Sequence, residues 1–318
     1  MHNQQQILSL CIPAYNAAKY LPKLLSSAKS QTIPFDEILV YNDCSTDDTE
    51  DVARQFGAKV INGDQNVGCS HARLRLAQEA SSKWIHFHDA DDDMLPNFTQ
   101  LAHKWINREY VPDVILFAYE WRDYDSNELL SVNLFDKQEL EQDPIRFTIR
   151  HQINPFCGVY LKSRFLEAGG PDLDPAVLYN EDVAMHCKLA RFGLSFTAET
   201  EVSIINYRVN NSMSRTPSAY QKTVNSQFQV MKKNYELTGK KYKKDIAAKL
   251  WLYTRHAAWI SNWKLVREIL SLLAKMKEQA PATESQFFRL FANVAPLAAV
   301  WTRELLNRIK RKKDTYWY

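Results

Sequence analysis

No CxxC pair occurs in this sequence. The cysteines (Cys11, Cys44, Cys69, Cys157 and Cys187) are scattered and odd in number. That pattern argues against a disulfide framework or a zinc knuckle and fits a reducing compartment. Long apolar runs are missing too. The longest, "ANVAPLAAVW" at 292–301, is too short to span a bilayer and contains Pro296. The opening "MHNQQQILSL" has no basic region followed by an apolar one, so no secretory leader is expected and a cytoplasmic location is. Neither sign of charge is in excess. A net charge of +3 excludes a molecule that binds polyanions with its whole surface, so charge can matter only locally. There is no internal repeat and no Gly/Ser-rich linker. What is present is ordinary for a globular protein, with 45% hydrophobic and 24% charged residues. The length of 318 residues allows one large or two modest domains.

The first two-thirds of the chain alternates between strand-like and helix-like stretches. "ILSLCI" (7–12), "DEILVY" (36–41), "AKVI" (58–61), "KWIHFH" (83–88) and "PDVILFAY" (112–119) read as strands. Between them, 17–31, 46–57 and 69–80 carry helical spacing, the second closed by Gly57. Continuous apolar strands separated by helices predict an α/β fold with a doubly wound, mostly parallel sheet. From about Ser218 the texture becomes helical throughout and rich in Lys, Trp and Tyr, with Pro281 and Pro296 as interruptions. The expected organisation is therefore an α/β domain over 1–217 and a helical region over 218–318.

In an open α/β sheet, ligands sit beyond the carboxyl ends of the strands. Polar clusters follow three of the expected strands: "PAYN" (13–16), "NDCSTDD" (42–48) and "DADDD" (89–93). The last is the most pointed, because like charges crowd at the end of an apolar strand. If the chain stays extended from Asp89 to Asp91, their carboxylates point the same way. Oxygen-only ligands fit a hard cation, Mg²⁺ or Mn²⁺, of the kind that also holds substrate phosphates. The competing explanation is a solvated loop or the N-cap of the helix that follows.

Five stretches resemble, in order and spacing, the family-2 glycosyltransferases of the GT-A fold. They are "LSLCIPAYNAAKYLPKLLSSAKSQ", "EILVYNDCSTDDT", "NVGCSHARLRLA", "WIHFHDADD" and "FLEAGGPDLDPAVLYNEDVAMHCKLARFG". The resemblance covers roughly residues 7 to 215 and implies transfer, with inversion, of a sugar from a nucleotide diphosphate sugar to a hydroxyl. It assigns Pro13, Ala14, Tyr15 and Asn16 to the nucleobase side and Asp43 to the base or ribose. Arg73 would reach the nucleotide. Asp89 and Asp91 would be the family's Asp-x-Asp, with Asp91 nearest a Mn²⁺ or Mg²⁺ ion. Asp182, beside Glu181, would be the general base. The chemistry suits these residue types: an aromatic face stacks on a base, carboxylates accept from ribose or base donors, and a positioned carboxylate takes the acceptor's proton.

Each assignment has a plainer alternative. Tyr15 fits a turn, and Asp43 with Ser45 and Thr46 fits a helix cap. Arg73 fits a surface helix position, and Glu181 and Asp182 are first-turn acids that the helix dipole stabilises in any case. His86 and His88 are expected in the core. The chain also departs from the family pattern. Asn42–Asp43 stands where two acids are usual, and Cys44 where glycine is usual. In "YRVNNSMSR" (207–215), Asn210 replaces a common histidine, so Arg208, Ser212 and Ser214 keep the donor pattern only loosely.

A UDP-sugar is the favoured donor and a glycan or lipid-linked hydroxyl the expected acceptor, with acceptor contacts over 120–180. Nucleic acid is not expected as a partner. The terminal "VWTRELLNRIKRKKDTYWY" (300–318) joins a basic cluster to aromatics, which suits an anionic membrane surface and a peripheral position at the inner face. A nucleotide-sugar pyrophosphorylase should carry a Gly-rich phosphate loop after the first strand, and "PAYNAAKYL" has none. A Mg²⁺-dependent phosphohydrolase would place its Asp-x-Asp after the first strand. A catalytically silent nucleotide-binding scaffold would not need both Asp91 and Asp182.

Overall fold

The computed structural model describes residues 7–209 and 217–313, with side chains described through 209 and from 218 to 310. The chain forms two compact units. One comprises Met1–Leu173 with Glu181–Asn211, and the other Asp174–Asn180 with Ser212–Tyr318. The heptad-length segment at 174–180 thus groups with the helices, which no sequence pattern marks.

The first unit is built on one sheet. Its strands are β1 (Leu8–Ala14), β2 (Glu37–Asn42), β3 (Lys59–Asn62), β4 (Trp84–Phe87), β5 (Asp93–Met94), β6 (Val114–Asp123), β7 (Leu129–Asn133), β8 (Gly158–Leu161) and β9 (Phe196–Arg208). Its helices are α1 (Leu21–Lys29), α2 (Thr49–Gln55), α3 (Cys69–Glu79), α4 (Phe98–Ile106), α5 (Lys137–Gln142), α6 (Pro144–Arg150), α7 (Lys162–Glu167) and α8 (Glu181–Phe192). The strand order is β3-β2-β1-β4-β8-β6-β9-β5, with β7 paired to β6. Strands β3, β2, β1 and β4 are parallel, as the alternation predicts. β8 then runs antiparallel to both β4 and β6. This reversal returns β6 to the direction of β4, and β9 is parallel to β6.

Burial explains the local sequence. Every residue of β1 is buried, so the strand is apolar on both faces rather than alternating. Helix α1 places Leu21, Leu24, Leu25 and Ala28 on one buried stripe and has proline in its first turn, where no amide partner is lost. In β1 and β2, Ala14 lies opposite Asn42, and Cys11 lies opposite Phe87 of β4. The three loops singled out in the sequence therefore leave the same edge of the sheet.

The second unit is all helix among its described residues apart from a 3-10 turn at Pro175–Asn180. Its helices are α9 (Pro217–Thr238), α10 (Lys243–Trp259), α11 (Trp263–Met276), α12 (Gln286–Val294) and α13 (Pro296–Lys313). Trp251 and Phe288 meet edge to face with centroids 6.0 Å apart and pack in the core of this unit.

Gly158, at the reversal of the sheet, has no room for a side chain. A Cβ there would collide with the ring of Tyr160. That ring is fully buried, and its hydroxyl lies 2.9 Å from His186 Nε2. Gly158→Ala should therefore destabilise the protein by about 1–3 kcal/mol. Urea unfolding checks this, and an unchanged midpoint would contradict it.

Candidate active site

The site starts at the ends of β1 and β2, where two loops are laced together. Asn16 N–H donates to Ser45 Oγ at 3.0 Å, and Asn16 Oδ1 accepts from Thr46 N–H at 2.8 Å. Ala17 N–H donates to Thr49 Oγ1 at 2.8 Å, and Ala18 N–H to Asp47 at 3.1 Å. Pro13 and Ala14 are buried in the last residues of β1, while Tyr15 stands 42% exposed beyond them. Cys44 adopts φ +61°, a conformation that favours glycine. This is the backbone reason a glycine is usual there. Asp43 is buried, and its two oxygens accept the N–H groups of Val67 and Gly68, each at 2.8 Å. It fixes the loop that leads into α3. Helix α2 begins at Thr49 rather than 46, because Asp47 spends its carboxylate on Ala18 and Thr49.

Helix α3 carries Arg73 into the cleft. The side chain is buried. Nη1 donates to Glu181 at 2.6 Å and Nη2 donates to Asp89 at 3.0 Å. Ser70 Oγ, one turn earlier, donates to the other oxygen of Glu181. Burial disfavours the Arg73 charge, yet Glu181 and Asp89 beside it hold it firmly cationic. Arg73 is therefore neither a surface residue nor free to reach a nucleotide with these two nitrogens. It ties the end of β4 to the start of α8. Its Nε has no acceptor among the described residues.

The acidic stretch differs from the extended geometry expected for it. β4 ends at Phe87, and Ala90 and Asp91 lie in a turn that Asp92 N–H closes on Asp89 O at 3.2 Å. The turn, not strand alternation, brings the carboxylates together. Asp91 is lifted to about 6 by burial and by the charge of Asp89. Asp92 points the other way. It is buried, and accepts Tyr207 N–H at 2.9 Å and Asn206 Nδ2 at 2.7 Å, bracing the turn against β9. Burial, then Asp91 and Asp89, push Asp92 well above the ordinary carboxylate range. Beneath the turn, His86 Nδ1 donates to Gly158 O at 2.8 Å, so its Nε2 accepts from His88 Nδ1 at 2.9 Å. Burial holds both rings neutral, with His88 lowered to about 3. They are core imidazoles, as expected.

The chemistry of this donor set fits a divalent cation. Asp89 and Asp91 are crowded carboxylates, and the cost of crowding is visible in the raised Asp91. No group of three or more His, Cys, Asp or Glu side chains among the described residues forms a cage by itself. A hard ion held by one or two carboxylates completes its shell with water and substrate phosphates.

Asp182 opens α8 next to Glu181. Burial raises it to about 7, the Glu181 charge adds to the effect, and Arg73 opposes it. His186, one turn on, directs Nδ1 to the Asp182 carbonyl at 2.8 Å. A carboxyl poised near neutrality is suited to exchange a proton.

Residues 9–163 match the family Glycosyl transferase family 2. The match covers just under half of the chain, all of it within the first unit, and identifies a family-2 glycosyltransferase domain over those residues. An uncharacterized glycosyltransferase of Rickettsia prowazekii is 29% identical over 188 residues, which is 58% of this chain and 59% of the relative. The putative teichuronic acid biosynthesis glycosyltransferase TuaG of Bacillus subtilis is 31% identical over 97 residues, 29% of this chain and 38% of the relative. The chain thus spans less than two thirds of these relatives. Among solved structures, S. aureus TarS in complex with UDP-GlcNAc has a TM-score of 0.59 at 16% identity, covering 98% of this chain and 93% of that one. Mannosyltransferase PcManGT from Pyrobaculum calidifontis, in complex with GDP-Man and Mn2+, has a TM-score of 0.56 at 15% identity, covering 99% and 89%. These likenesses establish the fold, a GT-A-like mixed sheet followed by helices.

The structure brings Arg73, Asp89, Glu181 and Asp182 together, with Asp91 on the adjoining turn. Of the looser donor pattern, Arg208 pairs with Asp123 at 3.1 Å. Asn210, Ser212 and Ser214 lie outside the described residues. Ser70 and Asp92 were not picked out as functional from the sequence. Ser70 lies within the stretch "NVGCSHARLRLA" but has no role of its own in the resemblance, and Asp92 is one acid among several. One wall of the edge is also new: β6 continues well past the end of β4 as a hairpin with β7, and Trp121 on it is 40% exposed.

The raised Asp182 carries a stability signature. An aspartate titrates near 3.9 when unfolded and near 7 here. Its contribution is therefore favourable at acid pH and is lost as pH rises through about 7. In metal-free protein, Asp182→Asn should match the wild type in melting temperature at pH 4 and exceed it increasingly up to pH 8. A pH-independent offset in thermal melts would contradict this.

Proposed function

We propose that this chain is a metal-dependent, inverting glycosyltransferase that moves a hexosyl group from a nucleotide diphosphate sugar, a UDP-sugar foremost, to a hydroxyl of a glycan or lipid-linked acceptor. The reading rests on one observation above all. Within a family-2 domain, Arg73 gathers Asp89 and Glu181 at the carboxyl edge of the sheet, with Asp91 and Asp182 beside them.

In this reading the laced loops at Pro13–Asn16 and Asp43–Thr49 shape the nucleotide pocket. Tyr15 offers an exposed ring for stacking, and Asp43 acts by holding the Val67–Gly68 turn as well as by any contact with the ribose. Asp89 and Asp91 hold Mn²⁺ or Mg²⁺, which when bound neutralises charge on the departing nucleoside diphosphate. Arg73 fixes one oxygen of Asp89 and one of Glu181, and so sets where Asp182 stands. Asp182 removes the proton of the acceptor hydroxyl while that oxygen bonds to the anomeric carbon and the bond to the diphosphate breaks. A single base suits one in-line displacement, and inversion follows. The β6–β7 hairpin with Trp121 offers an acceptor wall in the 120–180 region. In this reading the reaction runs at the inner face of a plasma membrane, in bacterial surface-glycan assembly, and the basic, aromatic composition of 300–318 supports that location.

A donor-hydrolysis screen across UDP-, GDP- and dTDP-sugars with Mn²⁺ and Mg²⁺ tests the reading, and turnover of none of them would defeat it. Two variants separate the roles. Asp91→Asn should abolish metal-dependent nucleotide binding in calorimetry while leaving the fold intact. Asp182→Asn should keep donor affinity and lose transfer by about 10²–10⁴-fold. Near-normal turnover in the second variant would remove the base assignment.

A further inference from the structure

The helical unit leaves one apolar face uncovered. On α12, Phe287 is 76% exposed and Val294 is 87% exposed, with Leu290 between them. At about 100° per residue these side chains fall on one stripe. Beyond the joint at Ala295, α13 continues with Leu297, Trp301, Leu305 and Ile309, all exposed. By the same spacing they occupy an arc of about 120°. Single exposed leucines need no explanation, but a run of this kind along two consecutive helices marks an interaction surface.

The opposite side of the pair is firmly seated. Phe288 and Ala292 of α12 are buried, as are Ala299, Val300 and Glu304 of α13. Arg303 lies over the Phe288 ring at 4.1 Å and pairs with Glu284 at 3.0 Å. Arg308 falls within the arc by the same spacing, between Leu297 and Trp301, but folds back to Glu304 at 2.9 Å and to the carbonyls of Ala258 and Trp259. The uncovered face is thus presented by an anchored pair of helices.

Charge says what covers it. Arg303 and Arg308 are paired with Glu284 and Glu304, and the sequence continues with four consecutive basic residues, Lys310 to Lys313. An apolar stripe with a central tryptophan, ending in consecutive basic residues, has the composition of a helix lying in a membrane interface. No helix among the described residues is long and apolar enough to cross a membrane. We propose that α12 and α13 dock this face on an anionic lipid bilayer, with the apolar arc among the acyl chains and the basic run against the headgroups. The proposal deepens the inner-face location given above and rests on that reading for its purpose.

Flotation of the full chain with vesicles of phosphatidylcholine alone or with phosphatidylglycerol tests it. Wild type should float with the anionic vesicles, and weaken at least tenfold in 0.5 M salt. A variant carrying Trp301→Ser, Leu305→Ser and Ile309→Ser should lose at least tenfold in binding. A second variant with Lys310→Gln, Arg311→Gln, Lys312→Gln and Lys313→Gln should retain only weak, salt-insensitive binding. Circular dichroism, which reads the whole backbone, and donor hydrolysis, which reads the first unit, should be unchanged in both. Wild type that stays with the dense fraction, or a serine variant that floats as well as wild type, overturns the proposal. So does light scattering that finds a dimer for wild type and a monomer for the serine variant, because the face then pairs copies of this chain. Lost flotation with intact donor hydrolysis removes the docking alone. Absent hydrolysis with intact flotation removes the catalytic reading alone.

Discussion

A guanidinium held between two carboxylates organises the candidate site. Arg73 comes from α3, Asp89 follows β4 and Glu181 opens α8, so three elements distant in sequence converge on one cation. Each carboxylate alone would be costly at this depth. A buried ion pair is weak evidence for net stability, but removing one partner strands the other charges, at about 3–5 kcal/mol. The cation therefore works as a positional constraint. It lets acids accumulate where a sheet edge and a helix N-terminus meet, and it sets which of them remain under electrostatic stress.

That stress is unevenly shared. Asp91 and Asp182 are raised toward neutrality, while Asp92, also raised, accepts hydrogen bonds from β9. The stressed residues are the ones given chemical roles, and the compensated one is a brace. Sites that must exchange protons or cations are commonly held in such states, and the surrounding fold over-determines them. Here the over-determination is visible in the His86–His88–Gly158 relay beneath the turn and in the paired loops at Asn16 and Ser45.

Much of the first unit was legible because its signals are local. β1 to β4 and α1 to α3 declare themselves through apolar runs and helical spacing, and the structure finds them within a few residues. What escaped depends on distant pairing. β5 has two residues and exists only against Ile204 and Ile205 of β9. β8 is four residues whose direction is set by β4 and β6. The cluster of acids was legible as a motif, but its geometry was not. A turn replaced the expected extension, and Asp92 turned toward Tyr207, a residue more than a hundred positions away. Arg73 could be assigned a place through the family pattern, whereas its partners required the fold. The apolar spacing of α12 and α13 was in the sequence throughout, yet only burial distinguishes its open side from its packed one.

The reversal at β8 bears on how the chain is made. β1 to β4 can pair as soon as they leave the ribosome, but β4 has an open edge until Leu161 has emerged. For the time taken to synthesise the intervening segment, a nascent chain displays unpaired amides beside the half-built cleft. Exposed strand edges of this kind recruit other strands. A fragment truncated before Gly158 keeps that edge open, which is the feature that invites aggregation.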